Sequence, residues 1–338
     1  LKLFSGELFK GFQHNTIARD LVMKRTLKNG KSLQFIYTGR MSASYHEPGT
    51  SILGQENALP VAEKNIQMDD LLVSSAFVYN LDETLAHYEL RGEISKKIGY
   101  ALAERYDRNI FRSITRGARQ VSPISATGKI EPGGGQISVG STEGDSLKAD
   151  KIIDAFYNAA AMLDEKGVSN QGRVAVLTPR QYYALIQNTG NTAPGLINRD
   201  VEGTALQSGK GVVEIAGIKV FKSMNIPFMG KFGTAAAGEY NGGTFVGATI
   251  DNQAGTVDGV NNDYGAANAF SKSCGLIFQK EAAGVVEAIG PQVQVTSGDI
   301  SVIYQGDVIL GRLAMGADYL NPACSVELYE GSEGNDAF

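Results

Sequence analysis

Histidine and cysteine are scarce here, three and two among 338 residues. Cys274 and Cys324 lie far apart, which excludes a CxxC redox pair, a zinc knuckle and a dense disulfide framework. Such cysteine usage fits synthesis in a reducing, cytoplasmic setting. His14, His46 and His87 show no HExxH spacing and have no cysteine partners, so packing or surface roles are the simpler reading. No run of about 18 apolar residues is present to span a bilayer. The stretch from Leu1 to Lys31 lacks the charged start, apolar middle and small-residue end of a secretory signal. These absences predict a soluble chain that is not exported. The sequence begins at Leu1 and not at Met, which leaves room for residues upstream.

What is present belongs to a folded protein. Apolar residues make up 43% and charged residues 20%, and the length suits two ordinary domains. The 41 glycines stand well above the usual share of about 7%, and imply many turns. A net charge of -5 argues against a protein whose main task is gripping nucleic-acid phosphates. Charge is uneven, however. Lys2, Lys10, Arg19, Lys24, Arg25, Lys28 and Lys31 face only Glu7 and Asp20 in the first 31 residues, so the remainder is correspondingly acidic. Two readings stay open: a basic arm that neutralises a neighbouring copy or an anionic content, or a solvated amphipathic helix with Ile17, Leu21 and Val22 on its apolar side.

Residues 32–38 alternate as a strand, with Leu33, Phe35 and Tyr37 on one face. A second strand reads from Leu71 to Tyr79, with Val73, Phe77 and Tyr79 apolar. Between them, 39–70 is irregular and holds Pro48, Gly49 and Pro60, so the pattern predicts a long two-stranded arm with a large tip. From Asp82 to about Arg116, Ile94, Ile98, Leu102, Tyr106, Ile110 and Ile114 recur every four residues, which predicts a helix on the order of 50 Å long. Residues 117–145 read as a loop or loose hairpin, and the main boundary is placed here. A compact α/β unit follows: a helix over 147–166 closed by Gly167, a buried strand over 173–177, and a helix opening at Thr178, Pro179 and Gln181. Short strands flank Ala216 and Gly217; 188–211 and 229–269 read as loops. Strands are expected over 274–287, 292–296 and 323–328, with a short helix or turn over 307–315.

No motif carries chemistry. Gly30, Lys31 and Ser32 resemble the end of a phosphate-binding loop, but Arg25 stands where its first glycine belongs. Ser146 lacks the following glycine of a nucleophile elbow and reads as a helix cap. Asp251, Asp258 and Asp263, with Asn252, Asn261 and Asn262, do not fit EF-hand positions and read as a surface loop. Asp69, Asp70, Asp82 and Glu83 have no sequence-evident base or metal beside them. No catalytic residue, metal or cofactor is expected.

The segments Leu33–Arg40, Ala43–Gly49, His87–Arg91, Val176–Tyr183 and Ala216–Val220, in this order and spacing, resemble the major capsid proteins of short-tailed bacteriophages of the coliphage T-seven type. The resemblance runs over nearly the whole chain, though no segment is diagnostic alone. It implies an α+β, tailed-phage capsid fold: an N-terminal arm (1–30), an extended hairpin loop (31–80), a peripheral domain with a long spine helix (81–148), an axial domain (149–270) and return strands (271–338). It implies copies of itself as partners, in pentamers and hexamers, together with a scaffolding protein, a portal and enclosed double-stranded DNA without sequence specificity, and no membrane. Subunit contacts are then expected from Lys24, Arg25 and Lys28, from Leu33, Phe35, Tyr37 and Arg40, from the arm tip Tyr45, His46, Glu47, Pro48 and Gly49, and from Val73, Phe77 and Tyr79. The rivals are an encapsulin-like nanocompartment shell and, less readily, a two-domain enzyme.

Overall fold

The computed structural model describes residues 8, 10, 12, 16–39, 41, 43, 45–51, 61–79, 81, 90–122, 124–126, 129–130, 132–142, 144–187, 214–227, 262, 264, 270, 272–296 and 299–332. Its backbone is helix α1 (Leu90–Ala118), 29 residues and about 43 Å long. The four-residue recurrence puts Ile98, Leu102, Tyr106, Ile110 and Ile114 on one buried face, and Ala103 and Phe111 widen it. Residues 82–89, where the pattern also predicts helix, lie outside the described residues.

That face lies on a four-stranded sheet, ordered β1 (Met23–Thr26), β12 (Ala283–Val295), β13 (Gly306–Tyr319), β4 (Leu72–Tyr79). Val78, Val285, Ile309 and Leu313 meet Leu102 and Tyr106 in one core. A second sheet has six strands, ordered β7 (Gly135–Gly140), β14 (Ser325–Glu330), β11 (Ser273–Gln279), β8 (Arg173–Leu177), β10 (Ile218–Lys222), β9 (Glu214–Ile215). Helices α2 (Ala149–Glu165) and α3 (Pro179–Gln187) cover one face of it with Ile152, Phe156, Leu163 and Leu185. All five residues of β8 are buried because the strand serves both cores: Val174 and Val176 join the core of α1, while Ala175 and Leu177 join that of α2 and α3. The chain therefore has two cores that share a sheet.

Local signals in the α2–α3 region hold closely. Gly167 takes φ +67°, donating to the Asp164 carbonyl while Val168 donates to that of Leu163, the paired bonds of a Schellman C-cap. The Thr178 amide and hydroxyl both donate to Gln181 Oε1 at the start of α3, at 3.1 and 2.9 Å. Ala216 and Gly217, both at positive φ, turn β9 into β10.

Several expectations fail. Strand β2 (Ser32–Thr38) does not pair with residues 72–79; its partner is β3 (Val61–Gln67), from Ser32 opposite Gln67 to Thr38 opposite Val61. β3 was hidden because Glu63, Lys64 and Asn65 interrupt its apolar positions, leaving Ile66 its one fully buried side chain. β4 pairs instead with β13, an edge strand on the four-stranded sheet. Residues 307–315, expected as a short helix or turn, lie within strand β13, whose glycines interrupt a plain apolar alternation. These glycines are sites of close approach: a Cβ on Gly311 would stand 2.4 Å from Ile98 Cγ2, and one on Gly316 would stand 2.0 Å from the Gln67 carbonyl oxygen. The stretch 117–145, expected as a loop or loose hairpin, does hold a short hairpin, Ser125–Ala126 against Lys129–Ile130, but its β7 also joins β14 in parallel and so belongs to the six-stranded sheet. Ser146 caps nothing: it sits in a buried 3-10 turn, Asp145–Leu147, and α2 begins after Lys148. The loops 188–211 and 229–269, with Asp251, Asp258 and Asp263, lie outside the described residues except Asn262 and Tyr264.

Candidate assembly interface

The described part of the N-terminal segment is docked on its own chain and is not a solvated helix, and part of the charge expected to serve a basic arm is engaged within the chain. Leu8, Phe12, Ala18 and Val22 are buried, and the Phe12 ring meets Tyr106 edge-on at 5.4 Å between centroids. Glu287 on β12 collects the charges: Arg19 donates to both its oxygens at 3.1 Å, Lys24 approaches to 2.8 Å, and the Tyr106 hydroxyl donates at 2.6 Å. Burial alone would raise the Glu287 carboxyl, but the bonds from Arg19, Lys24 and Tyr106 outweigh it and hold the group below its ordinary value. Lys24 is thus an internal partner. Arg25 and Lys28 remain exposed, with the Arg25 guanidinium 4.7 Å from the Phe35 ring centre.

The hairpin β2–β3 stands partly on its own chain. Phe35, 7% exposed, packs with Leu27, Ile66 and Val286, and Leu33 leans on the same cluster. Lys64 ties β3 to β13 through Asp318 at 2.8 Å. Tyr37 lines a cavity of about 210 Å³ between the hairpin base and the end of α2, together with Lys166, Ser169, Glu281 and Cys324. Leu33, Phe35 and Tyr37 therefore do not share a face with Val73, Phe77 and Tyr79, because the two strands belong to different sheets. Beyond this base the apolar surface is bare: Ile36 is 71% exposed, and Met41 and Val61 are also open. The tip residues Tyr45, His46, Glu47, Pro48 and Gly49 are exposed, in a turn where the Thr50 amide and hydroxyl both donate to the Glu47 carbonyl. Arg40 lies outside the described residues.

The second bare surface is the outer side of β4. Its alternate residues Leu72, Ala76 and Val78 pack toward α1, while Val73, Phe77 (52% exposed) and Tyr79 point away from the core. Gly306 pairs with Tyr79, so helix α4 (Asp299–Tyr304), two residues earlier in the chain, lies at this end of the sheet. It presents Val302, Ile303 and Tyr304, and Ile303 is 72% exposed. Sequence reading missed this tip, although three consecutive apolar residues beside a Gln-Gly turn were a signal. Exposed apolar residues in such a run mark a contact surface.

The polar groups of the interior are structural. Arg119 at the end of α1 grips Glu327 of β14 with two bonds of 2.7 Å, both side chains nearly inaccessible, and Gln136 adds a third at 3.0 Å. Asp69 accepts from Asn262 and from the Tyr264 hydroxyl, fixing the link between β3 and β4. Cys274 and Cys324 are buried free thiols, and burial pushes Cys324 up to about 12. Among the described residues no group of three or more His, Cys, Asp or Glu is placed to hold a metal, and no helix is long and apolar enough to cross a membrane.

A sheet carrying a long helix, a second helix-covered sheet and a projecting hairpin make up the shell fold of tailed bacteriophages, and solved capsids share it. The capsid of cyanophage P-SCSP1u is 32% identical with a TM-score of 0.72, over 94% of this chain and 89% of that one. The mature capsid of bacteriophage PhiM1 is 14% identical with a TM-score of 0.66, over 94% and 88%. Residues 34–329 match the sequence profile of the Gp10A-like major capsid proteins, and the chain belongs to that family. The major capsid protein of Escherichia phage T7 is 28% identical over 192 residues, 55% of each chain. The chain thus spans about half the length of the curated relatives it matches.

Proposed function

We propose that this chain is a non-catalytic shell subunit that assembles with copies of itself into the pentamers and hexamers of an icosahedral capsid enclosing double-stranded phage DNA. The observation that carries this reading is the pairing of a well-packed double core with two bare apolar surfaces, the hairpin beyond Phe35 and the outer side of β4 with α4. Burying one large apolar side chain is worth about 1.5–3 kcal/mol. Covering Ile36, Phe77 and Ile303 in a neighbour therefore yields a sizeable association energy per contact, repeated by symmetry around a closed shell. The arm tip around Tyr45 and Pro48 reaches across to the adjacent subunit in this arrangement. Scaffolding and portal proteins join it during assembly in the host cytoplasm. The DNA is met without sequence readout, in keeping with the chain's net charge of -5.

Electron microscopy of the expressed chain tests the reading. Closed particles built of five- and six-membered rings are expected; a compact monomer at high protein concentration would overturn it. Particle size, a portal vertex and packaged DNA in the infected cell separate a phage capsid from an encapsulin-like nanocompartment. The family match and the cyanophage likeness favour the phage capsid.

A further inference from the structure

Three cations at the base of the hairpin carry charge that the fold does not neutralise. Arg25, Lys28 and Lys31 recur at every third position where β1 passes into β2, and all three are exposed. Among the described residues no carboxylate is bonded to any of them. The acids of the adjoining strands are taken, Glu287 of β12 by Arg19 and Lys24, and Asp318 of β13 by Lys64. The turn that carries the three is pinned at both ends. Leu27 is buried with Phe35, Ile66 and Val286, and its amide donates to the Glu287 carbonyl at 2.9 Å. At the far end the Lys31 carbonyl accepts the Met68 amide at 2.8 Å, and Gly30 takes φ +100°, where glycine is favoured. The Arg25 guanidinium is seated 4.7 Å from the Phe35 ring centre. Charge of one sign is thus presented on a fixed backbone.

We propose that the turn from Arg25 to Lys31 is a phosphate-backbone site, at which each cation neutralises one phosphate of a nucleic-acid duplex. The surroundings select this partner over a second copy of the chain. Contacts between protein copies are built on an apolar, charge-poor centre, and no large apolar residue is exposed between Met23 and Phe35. The bare apolar surfaces lie elsewhere, from Ile36 outward and on β4 with α4. Cations in polar company suit a repeating line of phosphates, which is met through charge and without base readout. Arg19 and Lys24 take no part, since Glu287 holds them. On a chain of net charge -5 the contact is local and weak, and salt releases it. That the duplex is the DNA enclosed by the shell rests on the capsid reading; the phosphate chemistry of the turn does not.

Fluorescence anisotropy of a labelled DNA duplex, titrated with the full chain at concentrations where sedimentation finds no particles, reads the contact. Log affinity against log salt should fall with a slope of about -2.7, about 0.9 for each phosphate, so a fourfold rise in salt should weaken binding about fortyfold. Arg25→Gln, Lys28→Gln and Lys31→Gln should each make the slope shallower by about 0.9, and the triple variant should flatten it. Lys97→Gln, at an exposed position on α1, should leave it unchanged. All of these chains should keep the wild-type circular dichroism and still form closed particles. A wild-type slope near zero, or single variants that keep the wild-type slope, would overturn the proposal. Variants that lose closed particles while the DNA slope stays unchanged would also overturn it, and would assign the turn to a neighbouring copy. A wild-type chain that forms no closed particles but shows the slope would overturn the capsid reading and leave the phosphate site standing.

Discussion

Strands β8 and β4 are built from similar residues and meet opposite fates. Arg-Val-Ala-Val-Leu of β8 is buried on both faces, each side feeding a different core. Leu-Val-Ser-Ser-Ala-Phe-Val-Tyr of β4 is buried on one face only, its Phe77 and Tyr79 left open at a sheet edge that carries no charge and no proline. Edge strands of monomeric proteins are usually guarded by such residues. The difference teaches that the fold is completed inside the chain at β8, whereas β4 keeps an apolar face that the proposed assembly would cover with a neighbouring copy.

The comparison can be broken first at its buried side. Glu327→Ala leaves Arg119 charged and inaccessible, and should cost about 3–5 kcal/mol in urea unfolding of the isolated chain. Phe278→Ala, in the core of α1, should cost about 3–5 kcal/mol by the same measurement. Phe77→Ala, the same change on β4, should cost about 1 kcal/mol or less in the isolated chain, since half its surface is already in water. It should nevertheless lower the yield of closed particles in sedimentation. If Phe77→Ala unfolds the chain as Phe278→Ala does, the contrast between the strands fails. The smallest effect is expected at Arg25→Gln, where loss of the contact over Phe35 should cost about 0.5–1 kcal/mol. Charge reversal at Arg25 and Lys28 is a cleaner probe of salt-sensitive assembly than one that includes Lys24, which would set a carboxylate beside Glu287.

Legibility in the sequence followed locality. The spine helix, α2 with its Gly167 cap, β8 and the Thr178–Gln181 box were readable because each signal lies within one turn or one strand period. Strand partners were not. Nothing near residues 72–79 tells them to pair with 306–313, and β3 conceals itself behind polar residues that face solvent or bond Asp318. The glycines of β13 carry no strand signal in the sequence, yet in the fold they mark where Ile98 and the Gln67 carbonyl crowd the sheet. Of the expected interface, the arm tip and Val73, Phe77 and Tyr79 are exposed, whereas Lys24 and Phe35 are occupied within the chain. Glu287 escaped notice because a single glutamate in a strand gives no sequence sign of three donors gathered from elsewhere.

The most direct test removes the arm's reach while sparing its base. Thr38 lies opposite Val61, so replacing residues 39–60 with Asn-Gly closes β2 and β3 by a two-residue turn and leaves Phe35, Ile66 and Lys64 in place. Circular dichroism and urea unfolding should match the wild type, and electron microscopy should find no closed shells. Normal closed particles from that folded variant would contradict the account.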